Sequence, residues 1–209
     1  MEKKLVIYDL DDTIITRDYN LERELFNDLY KEQAYLIINH LSDYINEYEN
    51  THIRRSIGSF SRFLSYKTTL NVTKKHILEW IYLPYQLNDK IEDGIKEVLD
   101  FTKSNGGSNA ISSNWFWTTQ INRLKASGLL EYIDDIYTGD MALKPHREMY
   151  YLAMNKYPPN DCLFVGDSLE KDYIGPRIYG IESILYDKFN IHSDNIKKVK
   201  KLIELKKYF

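Results

Sequence analysis

The residues Asp9-Leu10-Asp11-Asp12-Thr13 follow directly on a short apolar run, Leu5-Val6-Ile7-Tyr8. In an extended segment, side chains at i and i+2 share a face, so Asp9, Asp11 and Thr13 can point one way while Leu10 points the other. Three later runs end in the same manner. Asn109 to Ser112 leads into Ser113-Asn114. Ile133 to Tyr137 leads into Gly139-Asp140 and then Leu143-Lys144-Pro145. Cys162 to Val165 leads into Gly166-Asp167-Ser168-Leu169-Glu170-Lys171-Asp172. Carboxylates can attack as nucleophiles, exchange protons or hold a hard cation. A lysine and a serine beside them can neutralise and hold an anionic oxygen.

Such side chains act together only if the fold gathers them. The four runs read as strands: short, apolar, rich in strand formers and bounded by turn residues. Glu182 to Tyr186 reads as a further strand. Between them lie helical stretches: Ile91 to Thr102, ended by Asn105-Gly106-Gly107, Thr119 to Ala126, stopping near Gly128, and Glu148 to Tyr157, ended by Pro158-Pro159. Asn195 to Tyr208 reads as a Lys-rich amphipathic helix. Strands alternating with helices predict an α/β fold, a Rossmann-like parallel sheet covered on both faces. In such sheets ligands bind beyond the carboxyl ends of the strands.

Residues 16–87 read differently. Phe26, Leu29, Ala34, Ile37, Leu41, Ile45 and Tyr48 recur at helical spacing, and Phe60 to Leu64 and Ile77 to Tyr82 look like further helices. Thr73 is the expected N-cap of the latter and Pro84 its stop. The expected division is therefore an α/β catalytic core of residues 1–15 and 88–209, with an all-helical insert of residues 16–87.

The motifs resemble those of the haloacid-dehalogenase-like (HAD) superfamily of phosphatases. Its D-x-D-x-T motif matches Asp9 to Thr13, its strand-end serine Ser113, its lysine Lys144, and its G-D-x-x-x-x-D motif Gly166 to Asp172. The likeness covers Leu5 to Asp12 and about residues 90–186. It implies Mg2+-dependent hydrolysis of a small phosphate monoester through an aspartyl-phosphate on Asp9. Asp11 is then the general acid and base. For the first of those roles it must be protonated, so its surroundings are expected to raise its pKa. The resemblance further implies that Asp9, Asp167 and Asp172, with the backbone carbonyl of Asp11, hold Mg2+. Ser113, Asn114 and Lys144 hold the phosphate. The insert occupies the place of a C1-type helical cap, with hinges near Ile14 to Asp18 and Tyr85 to Asp89.

Blander readings apply to other residues. Asp12 reads as a turn residue and Thr13 as a brace. Asp172 could cap the helix that follows as well as ligate. Cys162, the single cysteine, reads as a buried inert thiol and excludes an internal disulfide framework. Trp115 and Trp117 read as core residues, one of them a candidate wall of the site. Arg54, Arg55, Arg62 and Lys67 read first as a solvated helix face and second as a contact for a substrate anion. The scattered histidines lack zinc-site spacing.

The 209 residues are 43% apolar, enough for a real core, and the formal charge is −3. No basic excess favours nucleic acid or an anionic membrane, no run is long enough to span a bilayer, and no signal peptide is evident. The expected setting is the cytoplasm and the expected partner a small phosphorylated metabolite, with oligomeric state left open. Phosphomutase and phosphonatase chemistry fit the same scaffold. Dehalogenases of the superfamily lack the second acid of the first motif, which Asp11 supplies here, and a non-catalytic binding protein would be expected to have lost one of these groups.

Overall fold

The computed structural model describes residues 4–83 and 90–208. Strand β1 (Leu5–Tyr8) is buried along its whole length, as a continuous apolar run in a parallel sheet requires. It lies between β4 (Ser108–Ser113) and β6 (Cys162–Gly166), pairing Tyr8 with Ile111 on one side and with Val165 on the other. With β5 (Asp135–Thr138), β7 (Glu182–Tyr186) and β8 (Lys198–Val199) it forms a sheet of order β5-β4-β1-β6-β7-β8, parallel throughout. The chain winds from β1 through β4 to β5 on one side and from β6 through β7 to β8 on the other. The switch in winding lies beside β1, where open α/β sheets form their ligand crevice.

Alternation along β1 divides the core. Val6 and Tyr8 pack with Val98 and Leu99 of α6 (Ile95–Ser104) and Leu124 of α7 (Trp117–Ala126). Leu5 and Ile7 pack on the opposite face with Tyr150 and Ala153 of α8 (Arg147–Met154) and with the buried Cys162.

The insert begins after a two-residue strand, β2 (Ile15–Thr16), which pairs antiparallel with β3 (Lys90–Ile91). This ribbon, not anticipated from the sequence, draws the two ends of the insert together. The helices are α1 (Tyr19–Tyr30), α2 (Tyr35–Ile38), α3 (Leu41–Thr51), α4 (Ile57–Thr68) and α5 (Lys74–Tyr82). Asp18, Ser56 and Thr73 cap α1, α4 and α5 through side-chain oxygens that accept backbone N–H groups. Their shared core includes Phe26, Tyr48, Phe60 and Trp80. Trp115 and Leu143, from segments beyond β4 and β5, join it. Pro84, the proposed hinge at Tyr85 to Asp89 and the boundary at 87/88 lie outside the described residues.

Two expectations are corrected. The helix predicted from Ile91 starts only at Ile95, because Lys90 and Ile91 pair with β2. The C-terminal helix predicted over Asn195 to Tyr208 is instead the edge strand β8 followed by a 3-10 turn, Leu202–Tyr208. Val199 pairs with Tyr186 and is buried, and Lys198 reaches back to Asp187 (3.1 Å). Joining the sheet edge outweighs the helical periodicity of the lysines. Among the described residues no helix is long and apolar enough to cross a membrane.

Candidate active site

The carboxyl ends of β1, β4 and β6, with the loop after β5, line one cavity of about 280 Å3. It brings together Asp9, Asp11, Ser113, Asn114, Lys144, Asp167 and Asp172, every site residue predicted from the sequence. Asp9 follows β1, and its N–H donates to Val165 O (2.8 Å), continuing the β1–β6 ladder by one residue. Lys144 is 2% exposed, and its Nζ donates to Asp9 Oδ1 and Asp172 Oδ1, both at 2.7 Å. Thr13 donates to Asp167 Oδ1 (3.2 Å), the brace expected of it. Asp12 adopts φ +59° and accepts from Arg17 N and from the Tyr19 hydroxyl, a turn role also expected.

Asp172 is not the cap of its helix. Ser168 caps that turn, accepting from Lys171 N (3.3 Å), while Asp172 Oδ2 accepts from Ser168 N (3.0 Å). Gly166 makes room for this arrangement. A Cβ there would fall 2.4 Å from the Asp172 carboxylate. Gly139 performs the same service after β5, where a Cβ would meet Asn114 O at 2.2 Å. The side chain of Asn114 is committed to the backbone of Lys144, accepting from its N (2.7 Å) and donating to its O (2.9 Å). The Asn114 side chain therefore positions the lysine.

Asp9, Asp167 and Asp172 each place a carboxylate oxygen within a group spanning 4.8 Å. Burial raises the Asp9 pKa well above the ordinary range. Lys144 opposes that rise, and Asp172, Asp167 and Asp11 add to it. Burial, then Asp172 and Asp12, push Asp167 up to about 7. Lys144 is held in its charged form by the two acids it touches, against the effect of burial. Three acids around one lysine leave a negative excess in a buried place, and all the donors are oxygens. That set fits a hard divalent cation such as Mg2+. Protons then compete with the cation. Calorimetric titration should show Mg2+ affinity rising by about tenfold from pH 6 to pH 8 as the proton of Asp167 is displaced. A flat or inverse dependence would reject the assignment. The same raised pKa has a second consequence in EDTA. Stability contributed by protonated Asp167 should be present at acid pH and lost as pH rises through about 7.

Asp11 differs from expectation. Burial would raise its pKa, but Arg123 and Arg17 and the hydrogen bonds of Arg123 and Gln120 outweigh it, and the carboxyl lies below its ordinary range. Gln120 Nε2 donates to Asp11 Oδ2 (2.8 Å) and to Ser113 Oγ (2.7 Å), and Arg123 Nη1 donates to Asp11 Oδ1. The sequence reading missed both residues. The available signal was two polar side chains three apart on α7, a spacing that shares one face, and both prove to be buried.

Arg55 corrects another expectation. It is 1% exposed and far from a solvated face. It pairs with Glu49, donates from Nε to Asn114 O (3.1 Å), and lies over Phe60 (4.5 Å) and Trp115 (4.9 Å). Glu49 also accepts from Lys171 (2.6 Å). Insert and sheet are therefore joined by charge at the edge of the cavity. Trp115 is both core and wall: it packs on Trp80 (4.6 Å) and lines the cavity, while Trp117 is exposed.

The chain is similar to several known proteins. Over 96 residues the chain is 31% identical to a ribulose-1,5-bisphosphate 5-phosphatase of Halopiger xanaduensis, covering 44% of this chain and 40% of that protein. The match to a haloacid dehalogenase-like hydrolase domain-containing protein 3 of Xenopus laevis is 32% over 97 residues, covering 44% and 39%. The chain thus matches about two fifths of the length of these curated relatives. Among solved structures, the HAD-hydrolase YfnB of Bacillus subtilis, bound to magnesium, superposes with a TM-score of 0.76 at 20% identity, covering 100% of this chain and 99% of that one. An L-2-haloacid dehalogenase of Xanthobacter autotrophicus gives 0.74 at 15% identity, covering 98% and 97%. These two likenesses establish the fold. The sequence profile of the haloacid dehalogenase-like hydrolases matches residues 6–186, nearly the whole of the described sheet, and the chain belongs to that family.

Proposed function

We propose that the protein hydrolyses a small phosphate monoester with Mg2+, through an aspartyl-phosphate on Asp9. The observation that carries this reading is the placement of Asp9. It shares Lys144 with Asp172, faces Asp167, and has Asp11 two residues along in the same cavity. Asp9, Asp167, Asp172 and the Asp11 carbonyl would hold Mg2+, which offsets the repulsion between a carboxylate and a phosphate dianion and polarises the phosphoryl oxygens.

Asp9 attacks phosphorus and the ester oxygen leaves with the bonding pair. Asp11 supplies the proton to that oxygen, then takes one from the water that cleaves the acyl-phosphate. Asp11 is ionised at rest, so it must take up a proton from solvent as the substrate dianion arrives beside it, a charge that opposes the pull of Arg123. Lys144 neutralises negative charge spreading over the phosphoryl oxygens, and Ser113 holds one of them. The insert acts as a cap that excludes water. A cavity of about 280 Å3 roofed by helices suits a small metabolite rather than nucleic acid or a membrane lipid. The lysines lining it, Lys144 and Lys171, belong to the core, whereas a phosphonatase draws its Schiff-base lysine from the cap.

The test is a panel of about a hundred phosphorylated metabolites and several 2-haloacids, scored by kcat/KM with Mg2+ and with EDTA. Phosphate release that EDTA abolishes and Mg2+ restores is expected. Halide release, or phosphate release indifferent to EDTA, would overturn the reading.

A further inference from the structure

A second cavity, of about 410 Å3, lies inside the helical insert. It adjoins the catalytic one, and Arg17, Tyr19, Ser42, Ile45 and Asn46 line both. Its far wall is apolar, formed by Phe26, Ile38 and Leu41. Its size is that of a site for a small organic molecule.

Arg17 stands where the two cavities meet. Its guanidinium is fixed on several sides. Nε donates to Glu22 Oε1 (2.9 Å) and Nη2 to the same oxygen. The plane lies 5.1 Å from the Trp115 ring and 5.7 Å from that of Tyr19. Glu22 is itself buried and takes a further hydrogen bond from Trp80 Nε1 (3.0 Å). These contacts account for Nε and Nη2, whereas Nη1 has no hydrogen-bond partner among the described residues. Arginine keeps its charge at any working pH, and its fork matches carboxylate and phosphate oxygens. Arg23, on the same wall, has no ion pair among the described residues; Glu22 is the one acid in the lining of this cavity, and Asp11, in the adjoining catalytic cavity, also acts on Arg17. Asn46, which lines both cavities, accepts from Lys171 through its Oδ1 (2.8 Å).

We propose that the second cavity receives the leaving group of the phosphate ester, and that this leaving group carries its own anionic group, a carboxylate or a second phosphate, bound by Arg17. The inference rests on the phosphatase reading and narrows it to multiply charged substrates. A carbon skeleton lies against Phe26, Ile38 and Leu41. One end presents its phosphate to Asp9, and a second anion meets the fork of Arg17 without a proton being exchanged.

Matched esters test it. Carboxymethyl phosphate is compared with hydroxyethyl phosphate for the carboxylate arm, and propanediol bisphosphate with propanediol monophosphate for the phosphate arm. In at least one pair the wild-type protein with Mg2+ should favour the charged member by about tenfold or more in kcat/KM, consistent with a charge-assisted hydrogen bond. The arm that shows the preference identifies the anion. In the double variant Arg17→Met with Glu22→Gln the preference should fall to about one. That pair avoids an unpaired buried carboxylate and keeps an acceptor for Trp80. Glu22→Gln alone should retain the preference. A wild-type ratio of one or less in both pairs overturns the inference even if the double variant fails to fold, and so does a double variant that keeps the preference. Turnover of the neutral esters without a preference leaves the phosphatase reading standing and removes only this one. No turnover of any of the four esters overturns this inference, while the phosphatase reading is decided by the metabolite panel.

Discussion

Asp9→Asn should lower kcat by at least about four orders of magnitude, as loss of a nucleophile does in enzymes whose catalytic groups act as a unit. The folded state should gain from the same change. Burial and the neighbouring Asp172, Asp167 and Asp11 raise the Asp9 pKa well above its ordinary range, so its ionisation is unfavourable in the folded chain. The sign follows: a carboxyl with a raised folded pKa gives stability at low pH that is lost as pH rises through that value, and a neutral amide avoids the loss. Lys144 keeps Asp172 as a partner in the variant. Thermal unfolding in EDTA near neutral pH should therefore show a melting temperature at or above that of the wild type, with activity gone. Retained turnover would sink the mechanism. A clear fall in melting temperature would sink the electrostatic account of the cluster.

Lys144→Met should damage both activity and stability. Lys144 Nζ lies 2.7 Å from two carboxylates, and its removal leaves both buried without that cation. Breaking a buried ion pair by removing one partner costs about 3–5 kcal/mol. The variant should melt well below the wild type in EDTA, and Mg2+ should recover part of the deficit, because a cation bound only to the folded state stabilises it by mass action. Activity with saturating Mg2+ should fall about a hundredfold to a thousandfold, the scale for losing one preorganised charge at the reacting group. Adding Asp9→Asn to Lys144→Met should recover stability, since the two changes share one network and cannot be additive. A Lys144→Met protein as stable as the wild type in EDTA would show that the lysine is not what balances these acids.

Much of the site was legible because its chemistry sits immediately after strands. An apolar run followed by an acid shows both the element and the residue it delivers, and this holds for β1 with Asp9 and for β6 with Asp167. What was not legible depends on pairing across long separations. The charge state of Asp11 is set by Gln120 and Arg123, which lie 109 and 112 residues away along the chain. Of the two arginines that lower its pKa only Arg17 is near in sequence, and the raised pKa was expected from the role of general acid rather than from the residues around it. Arg55 looked like part of a basic surface because its neighbours Arg54 and Arg62 are charged. Its partners, Glu49 and the carbonyl of Asn114, become visible only when the insert is folded against the sheet. The C-terminal segment failed for a related reason: lysines at helical spacing say nothing of a vacant sheet edge beside β7.

Gly166 has no side chain to bind, orient or react, yet the space above it is filled by the carboxylate of Asp172. Alanine, the smallest replacement, would collide with that acid and push it from the shared lysine. Substitution should therefore be as poorly tolerated at position 166 as at position 172 itself. In a saturation-mutagenesis library selected for activity, the tolerance of the two positions should be governed by one contact. A lineage of this protein could then drift freely at the exposed residues around the loop while this glycine stayed fixed, its evolutionary rate dictated by an oxygen atom belonging to another residue.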